Sequence, residues 1–203
     1  SGTGSAVDPP LGPEPPMEAL LVSITTVAVA EMGDRTQLLS LYLAAHYRKP
    51  WPILAGVLIA TFANHALAGL IGVWFGERLT APVLDATVGV SMLAMALWTL
   101  RPDALGEGAA VSGRGAFLAT LIAFFVAEIG DKTQVATVAL AAGYASLAAV
   151  VAGTTGGMLI ANIPVVFMGK AFADRLPLKA IHYCASCLFA VLGALFIARA
   201  LMD

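Results

Sequence analysis

The chain of 203 residues is 59% hydrophobic and only 12% charged. A soluble domain has about 25% charged and about 45–50% apolar residues, so lipid has to cover the excess apolar surface here. The net charge of −2 disfavours nucleic acid as a partner, and two cysteines in one apolar segment give no disulfide framework. The sequence therefore predicts an integral membrane protein whose surroundings are a lipid bilayer.

Two polar segments are predicted to be connections rather than folded parts. Residues 1–16 are rich in Gly, Ser and Pro and contain no Lys or Arg, and Met17 is the first methionine. We expect 1–16 to be a disordered tag or linker and the native protein to begin at Met17. The Gly-rich segment 101–114 is predicted to link two halves of the protein, 17–100 and 115–203.

Six apolar segments are each long enough to cross a bilayer, which takes about 20 residues in a helix. Turn-forming and charged residues separate them. The predicted spans cover residues 18–45, 52–76, 82–100, 115–142, 146–171 and 178–200.

A seven-residue polar motif occurs once in each half, from Glu31 to Gln37 and from Glu128 to Gln134. The residue numbers of the two copies differ by 97, and five of the seven positions are identical. The same offset relates Gly56 to Gly153. The sequence therefore predicts that the two halves are structural repeats.

Three spans in each half make the repeats enter the membrane from opposite sides. The predicted fold is all-α and polytopic, with six transmembrane helices arranged as two inverted three-helix repeats. Both motifs then meet near the membrane midplane. The positive-inside rule places both termini on the non-cytoplasmic side. The connections between spans 1 and 2, 3 and 4, and 5 and 6 together carry seven cations, which are Arg48, Lys49, Arg101, Arg114, Lys170, Arg175 and Lys179. The opposite side of the membrane has only Arg78 and Arg199.

Each motif is predicted to lie in the middle of an apolar helix, in which Gly33 and Gly130 leave a gap where another backbone could approach or where the helix could loosen. At about 100° per residue, Glu31, Asp34 and Arg35 then share one face. A structural interpretation pairs each Glu with the cation four residues later, which leaves Asp34 and Asp131 unpaired. Ion pairs alone do not explain charges inside a membrane, because intramembrane ionisable residues usually serve a function.

The charges of the two motifs indicate a ligand. Four carboxylates and two cations sum to −2, which one divalent cation or two protons would neutralise. Burial and crowding of like charges both favour protonation of carboxyl groups. Oxygen ligands suit hard ions such as Ca²⁺, Mn²⁺ or Mg²⁺, and neither motif contains Cys or His. The choice between Mn²⁺ and Ca²⁺ stays open.

A duplicated Glu-x-Gly-Asp-(Lys/Arg)-(Thr/Ser) motif in a six-span protein resembles the Gdt-type cation exchangers. The resemblance covers Met17 to Asp203, and both copies match without departure. It implies a secondary transporter, not an enzyme, that exchanges Mn²⁺ or Ca²⁺ for protons without a permanently bound cofactor. For a short bacterial-type member it implies export across the inner membrane.

The resemblance also implies roles for the motif residues. The metal ligands or proton carriers would be the four acids, Glu31, Asp34, Glu128 and Asp131. Thr36, Gln37, Thr133 and Gln134 would support the metal, and Arg35 and Lys132 would tune the site. Outside the motifs, Asn64, His65 and Asn162 are polar residues within spans that could line the path, although interhelical hydrogen bonding is the simpler interpretation.

Two other functions remain open. An exporter of organic cations or amino acids could bind an ammonium group with the same acids. An intramembrane aspartyl protease would also bring two aspartates together, but four acids and two bases make a poor aspartic dyad. The Gly-x-x-x-Gly patterns at 72–76 and 153–157 predict helix contacts within one chain, and the protein is expected to be a monomer or a homodimer.

Overall fold

The structure is a computed structural model that describes residues 16–100, 115–169 and 177–202. The predicted linker 101–114 and residues 1–15 lie outside these ranges, and Pro16 begins the first helix. Eight α-helices and no strand occur in the described residues. They are α1 (Pro16–Glu31), α2 (Arg35–Tyr47), α3 (Pro50–Gly76), α4 (Ala81–Thr99), α5 (Ala116–Glu128), α6 (Lys132–Gly143), α7 (Leu147–Met168) and α8 (Leu178–Met202).

Four of these helices, α3, α4, α7 and α8, are long and apolar enough to cross a membrane. α1 and α2 together form a fifth candidate span, which is bent by 69° at a short break. α5 and α6 have 13 and 12 residues, so each is too short to cross alone. The described residues therefore contain four or five candidate spans, and the six-span arrangement stays a prediction.

The prediction that each motif lies within a continuous helix is wrong. α1 ends at Glu31 and α2 begins at Arg35, and the second motif interrupts α5 and α6 in the same way. The reason is a glycine in each break with a positive φ, 81° at Gly33 and 75° at Gly130. Residues other than glycine rarely adopt a positive φ, so the glycines determine where each helix stops. The single-face arrangement expected for an unbroken helix therefore does not apply.

A side-chain hydrogen bond stabilises each break. The Gly33 N–H donates to Oε1 of Gln37 at 2.7 Å, and the Gly130 N–H donates to Oε1 of Gln134 at the same distance. Each glutamine thus satisfies a backbone group that the interrupted helix leaves open. The two motifs form the same local structure.

Close helix contacts are also repeated between the halves. α3 packs against α5, where a Cβ added at Gly56 would lie 2.8 Å from the Cβ of Thr120. α7 packs against α1, where a Cβ added at Gly153 would lie 2.6 Å from the Cβ of Ser23. The two contacts are equivalent, because the offset of 97 relates Gly56 to Gly153 and Ser23 to Thr120. The predicted contact of the 153–157 glycine pattern within one chain is confirmed.

The distribution of polarity suits a lipid environment. Large apolar side chains such as Leu97, Val126 and Leu195 are exposed, whereas the acids of both motifs are buried. In a soluble protein Glu and Asp are seldom fully buried. The site is therefore enclosed by helices whose outer surfaces are apolar.

Candidate functional site

The four motif acids lie at the two helix breaks. Glu31 and Glu128 are the last residues of α1 and α5, and Asp34 and Asp131 immediately precede α2 and α6. In both breaks the Asp N–H donates to the Glu carbonyl oxygen at 3.1 Å. The relative exposures are 0% for three of the acids and 3% for Asp131. The breaks therefore present four carboxyl groups in the protein interior.

Ion pairs join the two motifs to each other. Lys132 Nζ lies 2.8 Å from Asp34 Oδ1, and Arg35 Nη2 lies 3.1 Å from Asp131 Oδ1. Arg35 Nη2 also donates to the carbonyl oxygen of Ala127 at 2.7 Å. The expectation that each cation pairs with the Glu of its own motif and leaves the Asp unpaired is wrong. It assumed an unbroken helix, and the break turns each Asp toward the other motif.

The two cations differ in their surroundings. Lys132 is buried, with 1% of its surface exposed. The Arg35 side chain is 35% exposed. Of the two paired cations, Arg35 of the first motif is therefore partly exposed at the protein surface, whereas Lys132 is enclosed.

Three of the four acids form a compact cluster. One carboxylate oxygen from each of Glu31, Asp34 and Asp131 lies within 4.8 Å of the other two. Oxygens at this spacing can move onto one cation with small rotations of the side chains. Glu128 falls outside this group of three. Its Oε2 lies 3.6 Å from Nε2 of His65, which belongs to α3.

Threonine hydroxyls contact the glutamates in both motifs. Thr36 Oγ1 donates to Glu31 Oε2. Thr133 Oγ1 lies 3.4 Å from Glu128 Oε2 and 3.3 Å from Asp131 Oδ2. The second hydroxyl thus connects Glu128 to the three-acid cluster. Both threonines are buried next to the acids, where their oxygens can support a bound ion.

The two glutamines have a different position. The side-chain oxygen of each already accepts a backbone N–H in its own break, as described above. Nε2 of Gln37 also donates to the carbonyl oxygen of Ala161 in α7 at 2.9 Å. Each glutamine oxygen thus accepts one hydrogen bond that stabilises the break, and because it has a second lone pair, the supporting role stays a prediction.

The three polar residues outside the motifs are all buried. Asn64 Nδ2 donates to the Phe125 carbonyl oxygen at 3.0 Å, and Asn162 Oδ1 accepts from Ser40 Oγ at 2.6 Å. Both asparagines thus make the interhelical hydrogen bonds of the simpler interpretation. His65 instead contacts an acid of the site. A sequence signal for this difference exists, because the offset of 97 pairs His65 with Asn162, a residue of another type.

Some buried polar atoms of the site have no hydrogen-bond partner within the described residues. They include Oε1 of Glu31, Oε1 of Glu128 and both ring nitrogens of His65. Such atoms are costly in a low-dielectric interior unless a proton or a cation satisfies them. The arrangement therefore suits a site that is filled by a cation or by protons.

A cavity of about 610 Å³ lies elsewhere, between the end of α2 and the end of α7. Its lining includes Tyr42, Arg48, Lys49 and Phe167 and none of the motif residues. The carboxyl groups of the motifs are thus separate from this opening.

Comparison with known proteins identifies the family. The sequence model of the divalent cation/proton antiporter GDT1 family matches residues 19–107 and 116–203. The chain belongs to the GDT1 family. Its members are transporters rather than enzymes, which argues against the protease alternative. The family also gives no support to an exporter of organic cations.

Similar proteins come from bacteria and plants. A Vibrio cholerae protein named "Putative manganese exporter" is 52% identical over 191 residues, which cover 94% of this chain and 95% of that protein. A GDT1-like protein of Synechocystis is 30% identical and covers 85% of this chain and 93% of its own length. Chloroplast protein PAM71 of Arabidopsis thaliana is 28% identical over 84% of this chain and 54% of its own length. No solved structure matches this chain.

Proposed function

We propose that this membrane protein exchanges Mn²⁺ for protons at one site that both motifs build together. The ion pairs that cross between the motifs carry this proposal. Membership of a divalent cation/proton antiporter family supports the reaction type. The relative of 52% identity that is named as a manganese exporter supports Mn²⁺ over Ca²⁺.

The charges of the site fit one divalent ion. Lys132 and Arg35 balance Asp34 and Asp131 through the two ion pairs. The glutamates Glu31 and Glu128 then carry the remaining charge of −2 when both are ionised. Each has an oxygen without a hydrogen-bond partner in the described part of the chain. One Mn²⁺ or two protons satisfy the same two glutamates, so the occupants exclude each other.

The surrounding residues have distinct roles in this exchange. Glu31, Asp34 and Asp131 give the ion three oxygens within reach of one another, and Glu128 is the fourth acid of the site. Thr36 and Thr133 support the bound ion through the hydroxyl groups beside the glutamates. Lys132 and Arg35 compete with the metal for the aspartates, which prevents the ion from binding too tightly for release.

Alternating access follows from two halves that move relative to each other around the site. The repeated contacts of Gly56 and Gly153 support a repeat. The proposed three spans in each half would make this repeat inverted. We place both termini on the non-cytoplasmic side of a bacterial inner membrane and the direction of Mn²⁺ transport outward. All four acids belong to one chain, so a monomer contains the complete site.

The test uses purified protein in liposomes with an acidic interior. We expect external Mn²⁺ to enter only while the pH gradient persists and the interior to become more alkaline as Mn²⁺ enters. Glu31→Gln and Asp131→Asn should reduce this uptake to the level of empty liposomes. Glu77→Gln is the matched control, because Glu77 is an exposed acid outside both motifs. Uptake that persists in both motif variants would contradict the proposed site.

A further inference from the structure

We infer that His65 donates a nitrogen ligand to the transported ion and so makes the site prefer Mn²⁺ to Ca²⁺. This inference rests on the proposed exchange function. It concerns a residue of α3 that lies outside both motifs. With His65 as a ligand, the ion would have both oxygen and nitrogen ligands.

The surroundings of His65 suit a ligand better than a structural side chain. The residue is fully buried, and neither ring nitrogen has a hydrogen-bond partner among the residues that the structure describes. A buried imidazole that only fills space would normally bond through at least one nitrogen. Apart from the 3.6 Å approach of Nε2 to Glu128 Oε2, His65 therefore has an unsatisfied donor or acceptor in the protein interior.

The distance to Glu128 supports the same conclusion. His65 Nε2 and Glu128 Oε2 are 3.6 Å apart, whereas hydrogen bonds of this type measure about 2.7–3.2 Å. Two ligand atoms about 2.1 Å from one cation, at right-angled to tetrahedral geometry, lie about 3.0–3.5 Å apart. The observed distance is thus close to that of neighbouring ligands on one ion.

His65 and Glu128 are also connected to the other acids. The Thr133 hydroxyl lies between Glu128 Oε2 and Asp131 Oδ2, at 3.4 and 3.3 Å. Asp131 in turn belongs to the cluster that includes Glu31. The Thr133 hydroxyl thus links the Glu128–His65 pair to the three-acid cluster, and an ion that contacts both requires the side chains to move closer together.

The comparison of the two halves separates this role from a packing role. The offset of 97 places Asn162 of α7 where α3 has His65. Asn162 is satisfied, since Nδ2 donates to the Met158 carbonyl oxygen at 3.0 Å and Oδ1 accepts from Ser40. The repeated packing thus does not require an imidazole at this position, and it is His65 that approaches a glutamate.

Ligand chemistry gives the imidazole its effect. Ca²⁺ takes oxygen ligands, whereas nitrogen ligands bind the first-row transition metals, among which Mn²⁺ is bound most weakly. A site of carboxylates alone would bind Ca²⁺ and Mn²⁺ with little distinction. One nitrogen ligand therefore favours Mn²⁺ relative to Ca²⁺, which is a discrimination that the carboxylates of the motifs do not supply.

The experiment combines transport with spectroscopy on the full chain. In liposomes, His65→Gln should raise the KM for Mn²⁺ about 10-fold while the KM for Ca²⁺ changes less than about 2-fold. His46→Gln is the matched control, since His46 lies near the end of α2 and stacks with Tyr42 away from the motifs. Electron spin echo modulation of bound Mn²⁺ should show coupling to a ¹⁴N nucleus in the wild type and lose it in His65→Gln.

The outcomes separate the two proposals. A wild-type protein that transports Mn²⁺ without any ¹⁴N coupling would overturn the role of His65 and leave the exchange function intact. Equal losses for Mn²⁺ and Ca²⁺ in His65→Gln would have the same meaning. If a pH gradient drives neither Mn²⁺ nor Ca²⁺ into liposomes that contain the wild-type protein, the exchange function is overturned and, with it, the inference.

Discussion

Lys132 Nζ lies 2.8 Å from Asp34 Oδ1, so a cation of the second motif neutralises an aspartate of the first. The two residues are 98 positions apart in the chain, and both are buried. Arg35 and Asp131 form the reciprocal pair. Each motif therefore supplies the cation that neutralises the aspartate of the other, as the proposed shared site requires.

The buried pair should contribute strongly to stability. Lys132→Met leaves Asp34 charged and buried, and breaking a buried ion pair from one side typically costs about 3–5 kcal/mol. We expect a large loss of stability in detergent, measured by thermal unfolding. Arg35→Met should cost clearly less, because the Arg35 side chain is 35% exposed and its pair with Asp131 is therefore not fully buried.

A double variant provides the control for that measurement. Asp34→Asn together with Lys132→Met removes both charges and should recover much of the lost stability, while Mn²⁺ transport stays absent. If Lys132→Met unfolds at the same temperature as the wild type, the pair does not have the energetic role assigned here.

The helix breaks should require glycine because of its backbone conformation and not because neighbouring atoms exclude a side chain. Gly130 has φ of 75°, and a Cβ added there would meet no atom within 4 Å. Gly130→Ala should therefore cost about 1–2 kcal/mol through the left-handed backbone conformation. It should also slow Mn²⁺ uptake in liposomes, since the position of Asp131 follows from this break. Gly130→Asn should retain more activity, because Asn tolerates a positive φ better than Ala. Equal activity of the Ala and Asn variants would refute this explanation.

The packing of α7 against α1 should make the stability of the protein sensitive to a side chain at Gly153 but not to one at Gly156. A Cβ at Gly153 would lie 2.6 Å from the Ser23 Cβ and 2.7 Å from the Leu20 carbonyl oxygen. A Cβ at Gly156 would meet only the Ile24 side chain, at 3.8 Å. Gly153→Ala should lower the midpoint of thermal unfolding.

Gly156→Ala is the matched control on the same helix. Ala is favoured over Gly within a helix by about 1 kcal/mol, so this variant should unfold at the wild-type temperature or slightly above. A Gly153→Ala variant as stable as Gly156→Ala would show that the close approach of α7 and α1 does not matter for stability.

Much of the site could be predicted from the sequence because its signals are local. An apolar composition with few charges requires lipid, and a polar string repeated at a fixed offset marks equivalent positions in two halves. The sequence therefore predicts the acids Glu31, Asp34 and Asp131 as site residues, and the structure brings them together.

The pairing of charges could not be predicted in the same way. Gly33 is compatible with a helix as well as with a break, and only its positive φ decides between them. The continuous helix pairs Glu31 with Arg35 on one face, whereas the break permits pairs such as Lys132 with Asp34 across the protein. Contacts between residues 98 positions apart depend on tertiary packing, which a local pattern does not encode.

The most direct test of a shared site is the number of protons released when Mn²⁺ binds to the purified protein. Metal binding to carboxyl groups displaces their protons, and the affinity depends on pH accordingly. We expect one Mn²⁺ to bind per chain and to release about two protons in the pH range where both glutamates are protonated. In Glu31→Gln we expect about one proton. Two independent Mn²⁺ ions per chain, or one Mn²⁺ bound without proton release at any pH, would contradict the shared site.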